Sequence, residues 1–126
     1  MRAAVLVAVG GALGSVARYW IGAWLAAHSG SGFPFATLAI NVSGGLVIGG
    51  LAAVSVAGER LTTDSTLWLF GVVGICGGFT TFSAFSLQNL QLLQAGRWGA
   101  ALIYMGASVG LCLAATALGM AIFTRA

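Results

Sequence analysis

Apolar residues run along this chain in four long blocks, about Ala4–Ala27, Ala36–Ala57, Leu67–Leu93 and Gly99–Phe123, and polar residues crowd into the gaps between them. A helix rises about 1.5 Å per residue, so about 20 apolar residues suffice to cross a hydrocarbon core of about 30 Å. Each block therefore predicts a membrane-spanning helix. The first block also has features of a signal peptide, with Arg2 ahead of an apolar run and small residues at Ala26 and Ala27. It continues to Ala27 with only Arg18 interrupting it, which favours a span. The gaps are short, and the only proline, Pro34, lies in the first of them. The pattern predicts an all-α membrane protein, residues 1–126 forming a single four-helix transmembrane domain.

The third block departs from a simple span. Leu67–Leu93 exceeds the membrane thickness as an upright helix, and at its centre the run Gly77-Gly78-Phe79-Thr80-Thr81 pairs two glycines with two β-branched residues, a poor helix interior. The expectation is a break between Gly77 and Thr81. Broken helices inside membranes present backbone amides and carbonyls to ions.

Composition narrows the possibilities. Of 126 residues, 60% are hydrophobic, only 6% are charged and the formal net charge is +3. Five scattered arginines make no basic stripe for a phosphate backbone, so nucleic acid is not an expected partner. Cys76 and Cys112 lie within apolar blocks and read as packing residues, and the single His28 is far from both, so no zinc site is expected. The only carboxylates, Glu59 and Asp64, fall in the second gap. A span without an acid is ill suited to a proton relay or a cation-selective ring, and the chain lacks a nucleophile, base and orienting group for enzyme chemistry.

Charge also sets orientation, and here it barely does so. Arg2, Arg60 and Arg125 fall on the side of the termini, Arg97 on the other, with Arg18 joining it if it reaches toward the first gap. So weak a bias permits insertion in both directions and an antiparallel two-fold dimer. The chain holds 20 glycines, and pairs at Gly10/Gly14, Gly45/Gly49, Gly74/Gly78 and Gly106/Gly110 recur at helical spacing, as expected for close helix packing.

What the spans carry instead of acids is neutral donors: Thr37, Asn41 and Ser43, then Thr80, Thr81, Ser83 and Ser86, then Tyr104 and Ser108. Thr37 and Asn41 share a helix face, as do Tyr104 and Ser108. Hydroxyls often bond only to the preceding turn, but Asn41 needs several partners. Phe82 and Phe85 share a face beyond the expected break, and their electropositive ring edges suit a small anion on a dry path. Arg18 either anchors the first span at the interface or attracts anions at a vestibule. Phe33, in the first gap, reads as exposed.

Three stretches carry a specific resemblance: Gly10 to Tyr19 (GGALGSVARY), Thr37 to Gly44 (TLAINVSG) and, above all, Gly77 to Ser86 (GGFTTFSAFS). In these the chain resembles the Fluc/CrcB family of small fluoride channels. The resemblance implies a passive fluoride-selective channel in the inner (plasma) membrane that relieves fluoride toxicity, built as an antiparallel dual-topology homodimer with two pores. It implies that Phe82, Phe85 and Asn41 line each pore, that Thr37, Ser83, Tyr104 and Ser108 belong to a polar track or its surroundings, and that Arg18 stands near the vestibule. It further implies that the backbone carbonyls of Gly77 and Thr80 hold a structural Na+ at the dimer centre. Gln88 stands where many relatives have glutamate, and Cys112 where some have serine. Other classes compatible with four short spans are a small multidrug exporter, which should carry a glutamate in its first span, and a non-transporting assembly subunit.

Overall fold

The structure, a computed structural model, describes residues 1–30, 32–57 and 65–124. Glu59, Arg60, Asp64 and Arg125 lie outside these residues. Among the described residues all regular structure is helical: α1 (Arg2–Ser29), α2 (Phe35–Ala57), a wide-turned π-helical stretch (Trp68–Cys76) continued by α3 (Gly77–Phe79), then α4 (Phe82–Gln94) and α5 (Trp98–Thr124). Among the described residues, four helical segments are long and apolar enough to cross a membrane, the third being the whole of Trp68–Gln94.

Local chemistry explains the ends. Helix α1 stops where Gly30 takes a left-handed conformation (φ 46°), and α2 starts just after Pro34, whose carbonyl accepts from the Leu38 amide at 3.2 Å. Helix α4 closes with a Schellman turn, in which Gly96 (φ 71°) donates to the Leu93 carbonyl and the Arg97 amide to the Leu92 carbonyl.

The helices pair out of sequence order. Helix α1 lies along the π-helical stretch and α3, while α2 lies along α5 in the most extensive contact of the fold. Glycines set both contacts. A methyl group on Gly14 would run into the Ile75 carbonyl, and one on Gly78 into the Gly11 carbonyl. In the other pair, methyls on Gly49 and Gly119 would meet the carbonyls of Thr116 and Leu46. Lipid supplies no hydrophobic drive for such pairing, so close backbone approach is what holds the helices together. Gly106 and Gly110 do otherwise: a methyl on either would have no neighbour within 4 Å. Spacing placed that pair on one face but not toward a partner helix within the chain.

Adding the clashing methyl at Gly49, as Gly49→Ala, should lower stability by about 1–3 kcal/mol. Gly106→Ala should leave it unchanged or slightly raised. Thermal unfolding of the purified protein in detergent, followed by tryptophan fluorescence, compares the two directly.

Candidate functional site

The break falls at Thr80 and Thr81, whose backbones are extended (φ −82°, ψ 158° and φ −152°, ψ 115°) between the helical Phe79 and Phe82. The two threonines finish one helix and begin another. Thr80 Oγ1 donates back to the Cys76 carbonyl at 2.8 Å. Thr81 is the N-cap of α4, its hydroxyl accepting from the Ala84 amide at 3.2 Å. Gly44 on α2 makes room for this turn, since a methyl there would strike the Thr80 side chain.

Two extended residues inside a membrane leave peptide groups without helical partners, and Asn41 supplies partners for one of them. Its Oδ1 accepts from the Thr81 amide at 2.8 Å, and its Nδ2 donates to the Thr81 carbonyl at 3.1 Å. The side-chain amide thus imitates a neighbouring strand, satisfying both polar groups of a residue that has lost its helical partners. On the opposite side Arg18 Nε donates to the Gly78 carbonyl at 3.0 Å, with Ser15 Oγ 3.4 Å from the same oxygen. Arg18 therefore bonds the last turn before the break, where the helix end is electronegative.

These bonds release two carbonyls. In an unbroken helix the Gly77 oxygen would accept from the Thr81 amide and the Thr80 oxygen from the Ala84 amide. Both amides are diverted, the first to Asn41 and the second to the Thr81 hydroxyl. Gly77 is also exposed, with nothing within 4 Å of its missing side chain. Carbonyls at an unwound helix end are the kind of ligand that holds Na+ in membrane proteins, so the oxygens that the resemblance assigns to that ion fit it chemically.

Beside the break lies a cavity of about 420 Å³, lined by Asn41, Thr80, Thr81, Phe82, Phe85, Ser108 and Cys112 among others. The Phe82 and Phe85 rings pack 5.4 Å apart at a 39° tilt, and Phe82 is 79% exposed. Ser108 is buried, and its hydroxyl has no hydrogen-bond partner among the described residues. Of the residues singled out in sequence, Asn41, Phe82, Phe85 and Ser108 meet at this cavity. Ser83 does not line it; its hydroxyl is exposed and 3.2 Å from that of Thr81.

Thr37 and Tyr104 meet elsewhere, through a residue that sequence reasoning treated only as a departure. Gln88 Nε2 donates to Thr37 Oγ1 at 2.9 Å, and the Tyr104 hydroxyl donates to Gln88 Oε1 at 2.8 Å. The signal was present in the spacing, because Phe82, Phe85 and Gln88 recur every three residues and so share a face of α4. Tyr104 is wholly buried; its ring packs on Phe85 at 5.2 Å and edge-on to Phe33 at 5.5 Å. Phe33 is thus half-buried against the core, not the exposed residue its place between spans suggested.

Replacing Asn41 by leucine removes both bonds to Thr81 and leaves its peptide groups unpaired in an apolar setting. The expected loss is about 2–4 kcal/mol, since each stranded group costs about 1–3 kcal/mol. Aspartate keeps only the acceptor and should be intermediate at best. Thermal unfolding in detergent measures both.

Comparison with known proteins accords with this geometry. The profile of the family described as "CrcB-like protein, Camphor Resistance (CrcB)" matches residues 5–120. A protein of Paramagnetospirillum magneticum named "Fluoride-specific ion channel FluC" is 49% identical over 114 residues, covering 90% of this chain and 89% of its own. Another of that name from Rhizobium johnstonii is 47% identical over 122 residues, covering 97% and 96%. A match of that extent, through the break and both tight helix pairs, places the protein in the CrcB-like family of multi-pass membrane proteins.

Proposed function

We propose that this protein is a passive fluoride channel of the inner (plasma) membrane, relieving cells of fluoride. The observation that carries the reading is the cavity at the break, lined by Phe82, Phe85, Asn41 and Ser108, whose hydroxyl has no hydrogen-bond partner among the described residues. These are neutral groups that can each offer positive charge density to a small anion without holding it fast. No acid lies in any span, so nothing there would repel a halide or couple its movement to protons. The relatives named as fluoride-specific channels, matched over nearly their full length, point to the same ion.

The channel works as an antiparallel homodimer in this reading. One chain leaves Phe82 largely exposed and Gly77 open at the break, so a second copy is needed to enclose the path. The charges support insertion in both directions: Arg2 sits beside Thr66 at one end, Arg97 beside Gly32 at the other. The Gly77 and Thr80 carbonyls of both copies would hold Na+ where the copies meet. That ion would neutralise the negative ends of the broken helices and fix the copies in register. Thr37 and Tyr104, joined through Gln88, carry the polar track away from the break, Ser83 lies beside Thr81 at the break itself, and Arg18 supports it from behind.

Purified protein in liposomes should release fluoride and retain chloride when an ionophore clamps the potential at zero. Phe82→Ile should reduce the fluoride rate at least tenfold, whereas Trp20→Leu, changing an exposed aromatic away from the cavity, should not; equal rates for the two variants would contradict the pore assignment. Insertion is tested separately. A cysteine replacing the exposed Ala95 should react with an impermeant maleimide from both sides of the membrane, and reaction from one side only would refute dual topology.

A further inference from the structure

A second cavity, of about 330 Å³, opens between the first connection and the end of α4, lined by Gly32, Phe33, Gln88, Gln91, Arg97 and neighbouring residues. Its groups are of one electrostatic kind. Among the described residues that line it, Arg97 is the only charged one, Gln88 and Gln91 contribute side-chain amides, and there is no carboxylate. The arginine is held in place from two directions. The Schellman turn pins its amide to the Leu92 carbonyl at 2.9 Å, and its Nη1 donates to the Gly32 carbonyl at 2.8 Å. That bond occupies one of five guanidinium N–H groups, so most of the fork remains available to a ligand. Gln91 has no side-chain partner among the described residues, and only one of the two Gln88 amide hydrogens is committed, to Thr37.

The cavity is connected to the break by side chains. Gln88 forms part of its wall and accepts from Tyr104, whose ring packs on Phe85, and Phe85 lines the cavity beside the break. A path that begins at a fixed cation and continues along neutral amides gathers an ion at its mouth and releases it inward. We propose that the Arg97 cavity is a loading site for a small monovalent anion, with Arg97 concentrating it and the amides of Gln88 and Gln91 receiving it before it reaches Phe85. This rests on the fluoride-channel reading and adds to it a mouth and a residue that governs capture.

The competing role for Arg97 is structural, as a tie to Gly32 or an anchor on lipid headgroup phosphate. Initial fluoride efflux from liposomes, measured across a series of fluoride concentrations, separates these roles. Arg97→Gln keeps a donor for Gly32 but loses the charge. It should lower the rate about threefold at low fluoride and low ionic strength, the Boltzmann factor for one charge about 7 Å away in water. The deficit should close at saturating fluoride and in 1 M impermeant salt, where the screening length is about 3 Å. Arg97→Lys should behave as the unaltered protein, and Arg97→Glu should fall about tenfold. A wild-type rate for Arg97→Gln under every condition overturns the proposal. So does an equal loss for Arg97→Gln and Arg97→Lys that ignores fluoride and salt, which assigns Arg97 to the tie or the anchor. If the unaltered protein releases no fluoride, the channel reading itself has failed, and the loading site with it.

Discussion

In hydrocarbon, a peptide group without a partner costs several kcal/mol, and helices cross membranes because they pair their own. This protein opens one helix in the middle of the bilayer and meets that constraint with side chains. Asn41 takes both polar groups of Thr81, the Thr81 hydroxyl caps the next helix, and Arg18 bonds the turn before it. Everything of functional interest depends on this arrangement. It sets Phe82 and Phe85 at the start of a fresh helix beside the cavity, and it diverts the donors of the Gly77 and Thr80 carbonyls. Without Asn41 the amide and carbonyl of Thr81 would both lose their partners, and the break would lose its main support.

The polar side chains near the break divide into two groups. Asn41, Thr80 and Thr81 are committed to backbone, whereas the Ser108 hydroxyl has no partner among the described residues. A rigid frame with a few uncommitted donors is what weak, repeated binding of an ion requires, because the frame cannot collapse onto the ion and the donors need not abandon strong partners.

The four spans were legible in the sequence because hydropathy over 20 or more residues is a strong, local signal. The break was legible for a similar reason: Gly77, Gly78, Thr80 and Thr81 are poor helix formers flanking a single phenylalanine, Phe79. Asn41 stood out as an amide too costly to bury alone, although nothing local revealed that Thr81 would receive it. The bonds of Gln88 were missed and Phe33 was misjudged because their roles arise between elements. Gln88 gains its meaning from Thr37 on α2 and Tyr104 on α5, and Phe33 folds inward only because Tyr104 offers a ring. Gly106 and Gly110 mark the same limit, since a four-residue spacing identifies a face without saying what that face meets.

The out-of-order pairing of helices has a consequence for how the protein is made. Helix α1 finds its glycine-lined partner only in the third span, and α2 finds its own only in the fourth. As the chain leaves the ribosome, the first two spans touch each other only over a modest contact and settle in the bilayer largely by their own apolarity, before the spans that match their glycines arrive. That demand accounts for a chain whose helices stay apolar on nearly every side, and it leaves the most extensive pairing of the fold to form only when the last span has arrived.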